Sequence, residues 1–170
     1  MLRKPSALVA DRRANAVIEL AITMPVLVMA LFGVVTGGLI FDRYMTVAQV
    51  ARVGASMLAR GANFALDENK DLLLRGQELS IARTSGDGVV YLTRVVQAPA
   101  GTANEGLLVI AERHTIGDPS FAASAVGQPS PATLPLGESM YISEVFHSAE
   151  SIRFGPVWPD PMRLSAQAYF

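Results

Sequence analysis

The sequence predicts an α+β fold in which one long N-terminal helix packs on a small antiparallel β-sheet. Three observations support this prediction. Residues 20–41 contain no charged residue, helical periodicity continues beyond them to Leu58, and four short segments of the C-terminal half are rich in β-branched and aromatic residues. The chain has 170 residues, which allows one folded domain together with a membrane anchor.

Residues 20–41 predict a transmembrane segment, because only Thr23 and Thr36 in this stretch are polar. A helix of these 22 residues is about 33 Å long, which is enough to cross a hydrocarbon core of about 30 Å. A buried helix of a soluble domain is the alternative, but such a helix is rarely apolar on every face over this length.

The charges on either side of the apolar stretch predict its orientation. Residues 1–14 hold four basic residues and one acidic residue, whereas the other flank begins with Asp42 and Arg43 and has its next basic residue at Arg52. The positive-inside bias therefore predicts a single-pass inner-membrane protein with a cytoplasmic N-terminus and an exported C-terminal part. A cleaved secretory signal fits less well, since its apolar region usually spans about 7–15 residues and ends at a small-residue cleavage site.

Glu19 is the one charged residue between Ala14 and Phe41. A carboxylate this close to lipid is unfavourable by up to a few kcal/mol unless it reaches the headgroups or a partner. Position alone leaves two interpretations open: Glu19 marks the membrane boundary, or it takes part in a specific interaction.

The residues around Glu19 resemble the start of TadE-like proteins, which are pilin-like subunits of the tight-adherence pilus and secretion machinery. The resemblance is carried by the segment RRANAVIELA at 12–21, by Pro25 and by ARVGA at 51–55. The family pattern is a basic pair, a small residue, four mostly apolar residues, a glutamate and a transmembrane stretch that contains a proline. A looser similarity lies in LSAQA at 164–168.

This resemblance implies that a prepilin-type leader peptidase removes the basic leader 1–14 by cutting between Ala14 and Asn15. Ala14 stands where the family usually has glycine, and it is also small. Glu19 then becomes the fifth mature residue and acts in subunit assembly, pairing with the new α-amino group of a neighbouring subunit. That amine is largely cationic at pH 7, since its reference pKa is about 7.7–8.0.

The partners that the resemblance implies are the leader peptidase, other pilin-like subunits and the pilus assembly platform in the inner membrane. The protein is then a minor pilin or pseudopilin, either TadE-type or TadF-type, that assembles or primes a pilus. The alternative is an uncleaved bitopic inner-membrane protein with a periplasmic binding domain, in which Glu19 is only a boundary residue.

Three residues of the transmembrane segment are candidates for helix packing. Pro25 leaves the Ala21 carbonyl without its usual helical donor and favours a kink. Gly33 and Gly37 form a small-xxx-small pair, which allows a neighbouring helix to approach closely.

The periodicity of the next residues predicts that the first helix continues to about Arg60 and ends at Gly61, so that the long helix covers 15–61. One stripe of this outer half is apolar or small and is expected to cover a sheet: Val47, Val50, Ala51, Gly54, Met57 and Leu58. A first helix that is half membrane segment and half domain is the pilin architecture that the resemblance implies.

Residues 62–170 predict an exported α+β domain. A second helix is expected over 67–83, with Asp67 as a candidate N-cap. Four strands are expected at 89–97, 107–115, 140–147 and 163–170, arranged as an antiparallel meander on the helix. The proline-containing residues 117–138 predict a loop, and Trp158 lies in a second proline-rich connection at 155–161.

Nothing in the sequence predicts catalysis, a cofactor or a metal site. The net charge of −1 argues against a nucleic-acid partner, and the absence of cysteine excludes disulfides and cysteine-bound metals. Glu112 and His114 share a strand face, and Glu144 precedes His147 by three residues, but these spacings match no metal-ligand motif. We expect these four side chains to be polar residues that face solvent on half-exposed strands.

Overall fold

The computed structural model describes residues 12–75, 88–127, 130–131, 134–148 and 163–170. Within these residues two helices and five strands follow one another: α1 Arg12–Ala59, α2 Asp67–Arg75, β1 Gly88–Gln97, β2 Leu107–Gly117, β3 Ser130–Pro131, β4 Ser139–Ser148 and β5 Arg163–Tyr169. The chain divides into two compact units, Met1–Leu39 and Ile40–Phe170. This arrangement is the predicted α+β fold.

Helix α1 has nearly the predicted length and ends where glycine was expected to end it. Gly61 has a φ of 82°, and its amide donates to the Leu58 carbonyl at 3.0 Å while the Ala62 amide donates to the Met57 carbonyl at 3.0 Å. These two bonds and the left-handed glycine form a Schellman motif, which satisfies carbonyl groups at the helix end.

The four predicted strands are present, but their order corrects the predicted meander. The sheet has the order β3-β2-β1-β4-β5, so β4 pairs with β1 and not with β2. One feature of the sequence indicates that β1 is a central strand, although alternation along the strands does not. Residues Val89–Leu92 are all buried, and an unbroken apolar run of this kind is typical of a central strand that is covered on both faces.

One face of the sheet packs on the outer half of α1, and the predicted apolar stripe lies in that interface. The core contains Val47, Val50, Ala51 and Leu58 of α1, together with Phe64, Leu73, Leu74, Val90, Leu92, Ile116, Val145 and Leu164. Gly54 sits at the closest approach: a Cβ there would lie 2.8 Å from Ser143 Oγ and 2.9 Å from Leu92 Cδ2. The helix can approach the sheet this closely because Gly54 has no side chain.

The other face of the sheet is partly covered by residues 118–127. Tyr91 Oη donates to the Ala122 carbonyl at 2.8 Å, Arg113 Nη2 donates to the Val126 carbonyl, and Arg163 Nη1 donates to the Phe121 carbonyl at 3.3 Å. The predicted loop 117–138 begins one residue later than expected, because β2 includes Gly117. It also contains the two-residue strand β3.

Helix α2 begins at Asp67 as predicted and is described to Arg75. Asp67 lies in its first turn, where its carboxylate accepts a hydrogen bond from Lys70 Nζ at 2.8 Å. This interaction lowers the pKa of Asp67 below its ordinary value. The rest of the predicted helix, 76–83, and the connection 155–161 with Trp158 lie outside the described residues.

Candidate assembly surface

The inner half of α1, residues 16–39, exposes its apolar side chains. Every side chain of this segment except Thr36 is exposed, and the exposed fraction reaches 74% for Met29 and 75% for Val34. Within the described part of the chain, this helix is the one candidate membrane span by length and composition. So large an apolar surface is stable only when lipid or another protein covers it.

Glu19 lies in the second turn of the described part of α1, among exposed apolar residues that include Ile18 and Leu20. Thr23 Oγ1 donates to the Glu19 main-chain carbonyl at 2.8 Å, so the hydroxyl of this threonine is satisfied within the helix. The Glu19 side chain is exposed and is therefore accessible to groups outside the chain.

The predicted cleavage site lies in the first turn of α1. The helix begins at Arg12 and includes both Ala14 and Asn15, while the leader residues before Arg12 lie outside the described residues. Cleavage between Ala14 and Asn15 stays a prediction, and the helix places Glu19 one turn after the new N-terminus that this cut would create.

The predicted packing residues lie on an open part of the helix. Helix α1 continues through Pro25. A Cβ added to Gly33 or Gly37 would meet no atom within 4 Å, so a neighbouring helix has access to the backbone at both positions. That these residues pack against another helix stays a prediction.

The polar residues of the sheet only partly match their predicted environment. Glu112 and His114 share a face as expected, with His114 Nε2 and Glu112 Oε1 2.8 Å apart, and Glu112 is exposed. The prediction was wrong for Glu144 and His147, which are buried. It failed because β4 lies inside the sheet, between β1 and β5.

Glu144 anchors the segment 118–127 to the outer face of the sheet. It is 2% exposed, its Oε1 accepts a hydrogen bond from the Ala125 amide at 2.9 Å, and its Oε2 accepts one from Ser124 Oγ. Gln167 Nε2 lies 3.5 Å from Oε1. Sequence reasoning missed this role, because the sequence of β4 does not show that the strand lies between β1 and β5.

Tyr91 is the second anchor of the same segment. Burial raises the pKa of the Tyr91 phenol above its ordinary value, the Arg113 guanidinium opposes this shift, and the carboxylates of Glu144 and Asp118 reinforce it. Arg113 also lies over the Tyr91 ring, with Cζ 5.9 Å from the ring centroid. These contacts hold a surface segment in place and bring together no nucleophile, base and acid of a catalytic site.

An apolar pocket of about 310 Å³ lies beside this segment, lined by Val95, Leu108, Val109, Ile110, Ala125, Val126, Gly127, Met140 and Ile142. None of these described lining residues is ionisable. Among the described residues, no three His, Cys, Asp or Glu side chains are placed to hold a metal ion.

Comparison with protein families agrees with the resemblance found in the sequence. Residues 15–56 match the family model of TadE-like protein. The match covers most of α1 and includes Glu19, Pro25 and the core residues Val47, Val50 and Ala51, while Leu58 lies outside it. No curated protein and no solved structure matches the chain. The TadE-like segment and the apolar helix together fit a membrane-anchored protein that is associated with a pilus of the tight-adherence type.

Proposed function

We propose that this chain is a minor pilin or pseudopilin that takes part in assembling or priming a tight-adherence pilus. It is made as an inner-membrane precursor with its N-terminus in the cytoplasm. A prepilin-type leader peptidase cuts it between Ala14 and Asn15, and the mature subunit joins other pilin-like subunits at the membrane platform. Its role is structural and needs no catalytic residue or cofactor.

The observation that carries this proposal is the single carboxylate in a helical segment whose apolar side chains are exposed. Residues 16–39 expose nearly all their side chains, and Glu19 is the one charged residue among them. Bilayer lipid covers such a surface before assembly. Neighbouring subunits would cover it afterwards, when the helix leaves the membrane.

The pairing of Glu19 with a neighbour's Asn15 amine would give this step its specificity. A lone carboxylate loses hydration when apolar helices surround it, and that cost is offset only when an opposite charge reaches it. Such a pair sets register between subunits more reliably than it adds net stability. A subunit without the carboxylate would still insert in the membrane but would lack the feature that fixes its position.

The test is a set of variants at Glu19 in the native host. Glu19→Gln keeps the size of the side chain and removes its charge, so we expect normal membrane insertion and loss of pilus assembly. Glu19→Asp keeps the charge on a shorter side chain and should retain partial assembly. Pili are counted by electron microscopy, and the protein is quantified in washed membranes.

Arg43→Gln is a matched control, because it removes a charge on the other side of the apolar stretch. It should leave assembly close to normal. Normal piliation in the Glu19→Gln strain would contradict the proposal and favour an uncleaved bitopic protein whose exported domain binds a component of the cell envelope.

A further inference from the structure

The two edges of the sheet differ in how they are protected against pairing with another chain. Strand β5 is an edge strand of seven residues without proline or glycine, and its one charge is at Arg163. No described residue pairs with its outer side. Natural edge strands are usually shortened, charged, bulged or interrupted by proline, so a regular edge whose one charge is at its first residue is a ready site for β-augmentation.

The register shows which backbone groups of β5 face outward. Tyr141 and Phe170 exchange hydrogen bonds at 2.9 and 2.8 Å. Since bonded and non-bonded pairs alternate in an antiparallel ladder, the even-numbered residues of β5 bond to β4. The amides and carbonyls of four residues therefore point away from the sheet: Arg163, Ser165, Gln167 and Tyr169. Their side chains are exposed on the face opposite α1.

The same alternation, continued across β4 and β1, identifies the outward groups of β2. His114 is opposite Leu92 in the ladder to β1, so Arg113, Thr115 and Gly117 present their backbone groups to the other side. All three are exposed. The far end of β2 is less available, since β3 pairs with Leu107 and Leu108 and the register shifts beside Val95.

Strand direction decides which edge β5 can meet in a second copy. The strands β2, β1, β4 and β5 alternate in direction, so β2 and β5 are antiparallel to each other. A second copy placed beside the first in the same orientation brings its β2 antiparallel to β5. Pairing β5 with β5 about a two-fold axis would instead reverse the outer half of α1, so the Ile40 ends of the two helices, which lead into the membrane segments, would point in opposite directions.

We propose that β5 of one copy pairs with β2 of a second copy, through Arg113–Gly117, to continue the antiparallel sheet from subunit to subunit. The common orientation on which this depends rests on the proposed function. The occupant is a second copy because its β2 edge has the direction, the outward backbone groups and the outer-face side chains that β5 requires. The contact is head-to-tail, so it links successive copies in a series and does not join two copies about a two-fold axis.

Disulfide cross-linking tests the pairing cleanly because the chain contains no cysteine. In the full-length protein in native membranes, Thr115→Cys is combined in turn with Ser165→Cys, Gln167→Cys or Tyr169→Cys and oxidised mildly. Directly opposite bonded residues have Cα atoms about 5.5 Å apart, within disulfide range. At least one pair should give a ladder of dimers, trimers and larger species on a non-reducing gel, and the single variants should remain mostly monomeric.

Two further variants separate edge pairing from chance collision. Ala166→Cys with Thr115→Cys is the matched control, since residue 166 faces α1, and it should give no ladder. Ser165→Pro removes an outward amide and leaves the bonds to β4 in place, so it should lower the ladder yield about tenfold or more while the domain still unfolds cooperatively.

Three results would overturn the pairing. These are dimers from Gln167→Cys alone, which indicate two-fold β5–β5 contact, a ladder that Ser165→Pro does not reduce, or no cross-link in any same-face pair. If the last result came from protein that begins at Asn15 and supports pili, the edge pairing would fail and the proposed function would stand.

Discussion

Helix α1 is one continuous element whose two halves have opposite surroundings. In the inner half, residues 16–39, apolar side chains are exposed on all sides. In the outer half, residues 40–59, a stripe that includes Val47 and Val50 is fully buried against the sheet. The outer half packs on the sheet of its own chain, whereas the inner half must be covered by lipid or by another protein.

This difference follows from how apolar residues are distributed around the helix. A stripe of about 100° matches one sheet face and leaves the rest of the helix to solvent. A helix that is apolar all round cannot be satisfied by a single sheet. We therefore assign domain stability to the outer half, and membrane insertion together with the proposed assembly to the inner half.

The largest effects should come from replacing one valine in each half of α1 with aspartate. Val50 is 0% exposed, so Val50→Asp buries an unpaired carboxylate and should cost several kcal/mol, enough to unfold the domain. Val34→Asp places the same charge in the membrane segment. It should weaken insertion by about 2.5–3.5 kcal/mol and leave the domain folded.

Circular dichroism of detergent-purified protein and carbonate extraction of membranes measure these two outcomes separately. If Val34→Asp unfolded the domain as strongly as Val50→Asp, the division between the halves would be wrong.

Adding one methyl group at Gly54, in the outer half of α1, or at Gly37, in the inner half, should have different effects on the stability of the domain. Gly54→Ala places a Cβ 2.8 Å from Ser143 Oγ and 2.9 Å from Leu92 Cδ2, and such overpacking typically costs about 1–3 kcal/mol. Gly37→Ala meets no atom within 4 Å, so it should not lower the stability of the domain. Chemical denaturation checks both variants.

Ser143 supplies the control for this pair. Its buried Oγ has no hydrogen-bond partner among the described residues, so Ser143→Ala should be close to neutral. Combined with Gly54→Ala it should recover part of the lost stability. Additive losses in the double variant would show that the strain does not arise at Ser143.

Glu144 tests whether the outer face of the sheet is independent of the inner half of α1. Glu144→Gln places an amide nitrogen where one carboxylate oxygen accepts from Ser124 or Ala125, and we expect a loss of about 1–3 kcal/mol. The Ala125 amide should exchange faster with deuterium. Leader cleavage should be unchanged, and the exposed Glu138→Gln should change neither property.

The smallest effect is the pH dependence that Tyr91 gives to the domain. Its pKa is raised above the ordinary value near 10 by burial, so the unfolded chain loses the phenolic proton at a lower pH than the folded protein. The contribution to stability is therefore complete below about pH 10 and declines as pH rises toward the raised pKa. Denaturation at pH 8 and 11 should show a smaller decline for Tyr91→Phe than for the parent; equal declines would contradict this assignment.

Periodicity was sufficient for much of the fold, since it located α1, the start of α2 and the four long strands. It was not sufficient for strand order, because a pattern of alternation says which face a residue takes and not which strand lies beside it. Burial of Glu144 was missed for the same reason: its surroundings depend on β4 being internal and on Ala125, which is 19 residues away in sequence.

Unlike the predicted helices and strands, the roles of the candidate assembly residues are not tested by the structure of a single chain. Glu19 is the one charged residue in a long apolar stretch, which needs an explanation, but its role in assembly was implied by the family resemblance and not by its position. Ala14, Asn15, Gly33 and Gly37 act, in this account, on a peptidase or on neighbouring helices. A single chain does not contain those partners, so neither its sequence nor its fold displays the contacts.

Leader cleavage, on which the pairing of Glu19 depends, is tested by determining the N-terminus of the protein in native membranes. Intact mass and N-terminal sequencing should give a chain that begins at Asn15 in the wild-type host and at the initiating residues when the prepilin-type peptidase is deleted. A chain that still begins at Met1 or Leu2 in the wild-type host would contradict the account, because the amine that Glu19 is proposed to bind would not exist.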